Sequence, residues 1–133
     1  MGPIQLVVFD LAGTTIDDDG GVVLNCLVET VRIHDLPGTP DELNALMGMN
    51  KLEVFRMLAA RRDPSGSANI DELAQEALAT FVARMSAAYE RHLAPIPGAE
   101  EVFAFLRARG IKIAIDTGFD AAVGGLIIQR LGW

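Results

Sequence analysis

Asp10 ends the apolar run at residues 4–9 and is followed at once by Leu11-Ala12-Gly13-Thr14-Thr15. A strand terminus fixes a carboxylate in position, and the loop after it offers backbone N–H groups that can hold phosphoryl oxygens. Aspartate is an established covalent nucleophile toward phosphorus. It is also a common capping residue after a strand, and that plainer role is the alternative. A second apolar run, 111–115, ends in Asp116-Thr117-Gly118, where a hydroxyl beside an exposed backbone N–H suits a phosphate oxygen. Thr-Gly turns are common and mostly structural. The pairing of Thr117-Gly118 with Asp10 and Gly13-Thr14-Thr15 makes them a constellation, with Thr14 or Thr15 available to hydrogen-bond within the loop.

The elements that must position these residues follow from the pattern around them. Both apolar runs are short and lack a helical period, as buried strands do. Residues 22–34 carry Val23, Leu27, Val28 and Val31 at helical spacing, and Leu36-Pro37-Gly38 ends that helix. Thr39 then reads as an N-cap with Pro40 at the first helical position, opening a short helix that runs to about Met47 and breaks at Gly48. A helix over 51–62, a loop at Asp63-Pro64-Ser65-Gly66-Ser67 and one long helix over 70–93 come next. After Pro95-Ile96-Pro97-Gly98, residues 99–109 form an amphipathic helix with Val102, Phe103 and Leu106 on one face and Gly110 as its stop. Residues 122–131 are the last helix. Two strand–loop units of α/β type thus bracket a wholly helical insertion at about 16–94. Ligands of parallel α/β sheets bind outside the carboxyl ends of strands, so Asp10 and Thr117 face one cavity if the two strands are neighbours.

Composition narrows the setting. The 133 residues suffice for one domain, and half of them are apolar. Net charge is −7 and the 11 Lys/Arg are scattered, which argues against nucleic acid and anionic membranes as partners. Cys26 is the only cysteine, which excludes an internal disulfide and suits a reducing compartment. The strand pattern starts within three residues, with no charged leader ahead of it, and no apolar run is long enough to span a bilayer. The expectation is a soluble, cytoplasmic protein.

Asp10-Leu11-Ala12-Gly13-Thr14-Thr15 resembles the nucleophile motif of the haloacid dehalogenase superfamily of Mg²⁺-dependent phosphotransferases, and Ile113-Ala114-Ile115-Asp116-Thr117-Gly118 resembles its second motif. The resemblance implies an α/β fold: an HAD-like Rossmannoid core with a parallel sheet, here incomplete, at 1–15 and 95–133, and an inserted all-helical cap domain at 16–94. It implies an aspartyl-phosphate at Asp10, Mg²⁺ on Asp10 and the Ala12 carbonyl, and phosphate held by Thr117. Thr14, Gly48 and Gly118 would contact substrate.

Most phosphatases of the superfamily carry a second aspartate where this chain has Ala12. Alanine followed by Gly-Thr-Thr is similar to the phosphonatase-like branch, where the C–P bond to be broken has no leaving oxygen to protonate. Met47-Gly48-Met49-Asn50-Lys51 resembles that branch's Met-Gly-x-x-Lys segment, which implies that Lys51 forms an imine with an aldehyde substrate. The expected partner is therefore a small phosphonate or phosphate metabolite, and a homodimer through the cap is plausible for the family. Two departures stand beside this. Val54 occupies the position of a histidine in phosphonatase. The third-motif base and fourth-motif acids are absent, so the expectation is the N-terminal part of a longer protein, lacking full activity alone. Phosphate-ester hydrolysis and a non-catalytic binding module are the competing readings.

Other features have plainer expectations. Asp17-Asp18-Asp19 reads as a solvated linker that caps the following helix, and His34 and His92 as helix-terminal residues. Met47, Met49 and Met57 are expected to fill the helical core, Asp116 and Asp120 to be structural, and Trp133 to pack against residues further along a longer chain.

Overall fold

The computed structural model describes residues 2–66 and 69–133. In chain order it comprises β1 (Leu6–Phe9), α1 (Val22–Ile33), α2 (Pro40–Ala45), α3 (Lys51–Arg62), α4 (Ile70–Arg91), α5 (Ala99–Arg107), β2 (Lys112–Ile115) and α6 (Ala121–Leu131). The expected loop after α3 is present as far as Gly66; Ser67 lies outside the described residues. No helix among the described residues is long and apolar enough to cross a membrane.

The two strands pair in parallel, with Leu6 opposite Lys112 and Phe9 opposite Ile115. The ladder runs one step further, because the Asp116 N–H donates to the Phe9 carbonyl at 2.9 Å. Asp10 and Asp116-Thr117 therefore leave the sheet side by side. The strands are less buried than their sequence predicts. Side chains alternate between faces: Phe9 packs edge-on against Phe103 of α5 at 5.2 Å, whereas Leu6 and Val8 are about half exposed. Among the described residues no helix covers that second face. Burial of an apolar strand depends on what is laid over it, and composition does not reveal that.

Most of the core lies among the helices. Helix α4 presents Ala74, Ala77, Phe81, Met85 and Tyr89 as one buried stripe at three- and four-residue spacing, and α3, α1 and α6 pack against it. Phe81 meets Phe55 of α3 edge-on at 6.0 Å. Each such large side chain contributes about 1.5–3 kcal/mol of burial. The short α2 is held by a full capping box. The Glu42 N–H donates to the Thr39 hydroxyl at 3.3 Å, the Thr39 N–H donates back to the Glu42 carboxylate at 2.9 Å, and Pro40 stands at the first turn. Where the helical insertion leaves and rejoins the sheet, its two connections run together: the Asp17 N–H donates to the Ala94 carbonyl and the Ile96 N–H to the Thr15 carbonyl, both at 2.9 Å.

Several expectations about packing need correction. Val102 is 44% exposed, because the buried stripe of α5 is Phe103 and Leu106 and a residue one position earlier turns away by about 100°. Met49 and Met57 lie on the surface, whereas Met47 packs against the helical core as expected and also lines a cavity. Trp133 finds its partners within this chain: it packs edge-on against Phe103 at 4.9 Å and its indole N–H donates to Glu100 at 2.9 Å.

Asp18 does cap, accepting from the Val23 N–H at 3.2 Å, and Asp120 caps α6 through Val123 at 3.0 Å. His34 and His92 both terminate helices. Tyr89 is buried against Phe119, and its hydroxyl has no hydrogen-bond partner among the described residues. An unpaired buried hydroxyl costs free energy. Tyr89→Phe is expected to be neutral or to stabilise the chain by up to about 1 kcal/mol, measured as the midpoint of urea unfolding.

Candidate active site

The loop after β1 holds Asp10 by its own backbone. Leu11 and Ile16 are fully buried and anchor the loop at both ends. The N–H groups of Thr14, Thr15 and Ile16 converge on the Leu11 carbonyl at 3.0, 2.9 and 3.0 Å, and the Gly13 N–H donates to Ile16 at 2.9 Å. Gly13 supplies the positive φ of 76° that this tight course needs. Of the two threonines, Thr15 is the buried one, and its hydroxyl donates to the Asp10 carbonyl at 2.8 Å. Thr14 is exposed and does not line the cavity described next.

Across the parallel pair, the Thr117 hydroxyl accepts from the Phe119 N–H at 3.3 Å. That bond orients the side chain and leaves its proton to donate elsewhere. Asp10, Ala12, Thr117 and Gly118 share a cavity of about 260 Å³ with Gly48 and Lys51 of the helical insertion. Sequence reasoning thus placed together six residues that do meet. It missed the apolar part of the lining, made by Val23, Met47 and Phe119. Phe119, two residues past Thr117 at a strand end, was the available signal.

Lys51, the residue that the Met-Gly-x-x-Lys resemblance singles out, is the first residue of α3, where lysines are commonly solvated, yet it is only 2% exposed. The Asn50 side chain caps α3 by accepting from the Leu52 and Glu53 N–H groups at 3.0 and 3.3 Å, which fixes the helix start and hence the lysine. The Lys51 Nζ donates to the Met49 carbonyl at 2.8 Å. Burial pushes its pKa below the ordinary lysine value, and the negative charge of Asp10 pulls in the opposite direction. Val54, one turn further along α3, is fully buried in the helical core and does not reach this cavity.

The side-chain oxygens at the cavity are the Asp10 carboxylate and the Thr117 hydroxyl, Ala12 lines it as well, and no imidazole or thiol stands beside them. Such hard donors fit Mg²⁺ in kind. They form a partial set, since no group of three or more acidic, histidine or cysteine residues able to hold a metal occurs among the described residues.

A family model of haloacid dehalogenase-like hydrolases matches residues 4–133. The phosphonoacetaldehyde hydrolase of Bacillus cereus is 32% identical over 138 residues, covering 96% of this chain and 51% of that protein. The phosphonoacetaldehyde hydrolase of Hahella chejuensis is 29% identical over 126 residues, covering 90% and 43%. Among solved structures, a phosphonoacetaldehyde hydrolase-like protein from Oleispira antarctica superposes with a TM-score of 0.74 at 25% identity, covering 98% of this chain and 50% of that one. A hydrolase from Pseudomonas syringae, at TM-score 0.75 and 18% identity over 98% of this chain and 56% of its own, shares the fold. The chain spans about half the length of the curated relatives it matches. By the extent of the family match, this chain belongs to the haloacid dehalogenase-like hydrolases.

Proposed function

We propose that this chain carries the nucleophile and the amine of a phosphonatase-like hydrolase, which cleaves the C–P bond of a small phosphonate aldehyde. The observation that carries the reading is a buried lysine sharing one cavity with a strand-end aspartate. The relatives named phosphonoacetaldehyde hydrolase support it, as does alanine where phosphate-ester chemistry would want an acid.

In the first step the neutral Lys51 amine condenses with the aldehyde, takes up a proton from solvent and releases water, giving a protonated imine; the proton returns to solvent when Lys51 is restored. Burial serves this step by lowering the fraction of charged, unreactive amine. The Asp10 carboxylate then attacks phosphorus. The P–C bond breaks and its electron pair forms the C=C bond of an enamine, with the imine π pair moving onto nitrogen. Protonation of the enamine at carbon and addition of water release acetaldehyde and restore Lys51. A second water cleaves the aspartyl-phosphate to inorganic phosphate. The sum is phosphonate aldehyde plus water to aldehyde plus phosphate. Throughout, the Thr117 hydroxyl holds a phosphoryl oxygen, Gly118 offers its N–H, Gly48 borders the aldehyde, and Thr14 is left to the outer edge. Mg²⁺, held by Asp10 and the Ala12 carbonyl with donors from later family motifs, would neutralise phosphoryl charge.

The same reading divides the chain into a core at 1–15 and 95–133 and a helical cap at 16–94. The paired connections at 15–17 and 94–96 support that division. It also sets the protein in the cytoplasm, and allows a homodimer through the cap.

The test is Mg²⁺-dependent release of phosphate and acetaldehyde from phosphonoacetaldehyde, on this chain and on a longer chain that contains it. Equal yields of both products are expected. Faster hydrolysis of simple phosphate esters would favour an ester phosphatase instead. Absence of both activities, with no Mg²⁺-dependent binding of beryllofluoride, would favour a binding module.

A further inference from the structure

Gly118 is a glycine for which the backbone gives no reason. Its φ lies outside the positive range that favours glycine, unlike Gly48 at 85°. Donating an N–H to substrate would not require it either, because every residue but proline has that group. Space does require it. A Cβ at position 118 would lie 2.7 Å from both the Gly48 and Met49 carbonyl oxygens, and both are main-chain atoms that cannot swing aside. The turn at 48–49 is therefore seated directly on the end of β2.

Two further observations show what that seat controls. The Met49 carbonyl that touches position 118 also accepts the Lys51 Nζ bond at 2.8 Å. Two neighbouring cavities meet at this contact, and Asp10, Gly48, Thr117 and Gly118 line both. The inner one, about 260 Å³, contains Lys51 and the apolar lining. The outer one, about 420 Å³, is lined by Asn50 and Asp116 instead.

We propose that Gly118 is a positioning residue: its missing side chain lets the 48–49 turn close onto the strand end, and so holds the Lys51 amine enclosed over the same cavity as Asp10. This rests on the reading of Lys51 as the imine-forming residue, but its test does not. A Cβ at 118 lifts the turn and moves the acceptor of Lys51.

The chain has two lysines, Lys51 and the exposed Lys112, so one mass spectrum after brief labelling compares them directly. The probe is a biotin N-hydroxysuccinimide ester, too bulky for the inner cavity. In the unmodified chain Lys112 should label and Lys51 should be protected. In Gly118→Ala the Lys51-to-Lys112 ratio should rise by about tenfold or more, as expected when a local closure is lost. Gly125→Ala, whose added Cβ meets nothing within 4 Å, should leave the ratio unchanged. So should Ile127→Val, which loosens the buried face of α6 without touching the turn. A ratio unmoved in Gly118→Ala, or moved equally by Ile127→Val, would overturn the proposal. If Gly118→Ala does not fold, nuclear Overhauser contacts in the unmodified chain decide. Contacts between the Gly118 α-protons and those of Gly48 or Met49 uphold the seat, and their absence overturns it. Failure of the imine reading shows separately, as the lack of any aldehyde adduct on a Lys51 that is nonetheless protected.

Discussion

In a longer chain that contains this one, replacing Asp10 with Asn should reduce phosphate release from phosphonoacetaldehyde by about four to six orders of magnitude, the usual consequence of removing a covalent nucleophile. The amide keeps the shape of the side chain and its place beside Thr117, but no longer offers an anionic oxygen to phosphorus. The fold should be untouched, because the loop is held through the Asp10 carbonyl by Thr15 and through Leu11 and Ile16, and Asn preserves all of these. The variant should still form the reducible adduct at Lys51, since that step precedes attack on phosphorus. Stopped enzyme analysed by mass should show phosphorylated protein in the parent and none in Asp10→Asn. A residual rate within tenfold of the parent would remove Asp10 from the reaction.

Lys51→Met should act in two directions at once. C–P cleavage should vanish, because no other lysine among the described residues lines the cavity, while the folded chain becomes more stable by about 1–3 kcal/mol near neutral pH. Exchanging a buried charge for an apolar side chain of similar length commonly has that effect. The pH dependence distinguishes this from simple repacking. Burial lowers the folded-state pKa of Lys51 below its ordinary value of 10.5, so above the lowered value the unfolded chain binds the extra proton. Stability then rises with pH through that window and levels off at 10.5. Lys51→Met should flatten the rise. Tyr89 works the other way: burial raises its pKa, so its contribution falls only above 10.0, and the comparison belongs below that pH. Urea midpoints across the alkaline range provide the measurement, and a slope unchanged in Lys51→Met would mean that the amine is not buried as a titrating group.

What the sequence made legible is local. Thr39-Pro40 with Glu42 three residues after the cap announces α2, and the structure has that capping box. The two strand-end clusters at Asp10 and Thr117 announce a shared site once the strands are parallel neighbours, and their register makes them so. What it hid depends on surfaces meeting across long separations. Periodicity marks Leu6 and Val8 as apolar but does not say that, among the described residues, they stay about half exposed. The first turn of α3 makes a solvated lysine the plainer reading of Lys51, and its burial depends on segments packed over it from elsewhere in the chain. Met49 and Met57 have the chemistry of core residues and sit on the outer side of their elements. Trp133 pairs with Phe103 and Glu100, thirty or so positions back in sequence, which no local pattern announces.

The central claim, that a buried lysine amine and a strand-end carboxylate serve one reaction, is tested most directly by trapping. The chain is incubated with phosphonoacetaldehyde, reduced with borohydride and weighed intact, alongside Lys51→Arg. The account predicts one reduced adduct in the parent, located to Lys51 by peptide mapping, and none in the variant. A parent without adduct, or a variant that keeps it through Lys112, would contradict the account.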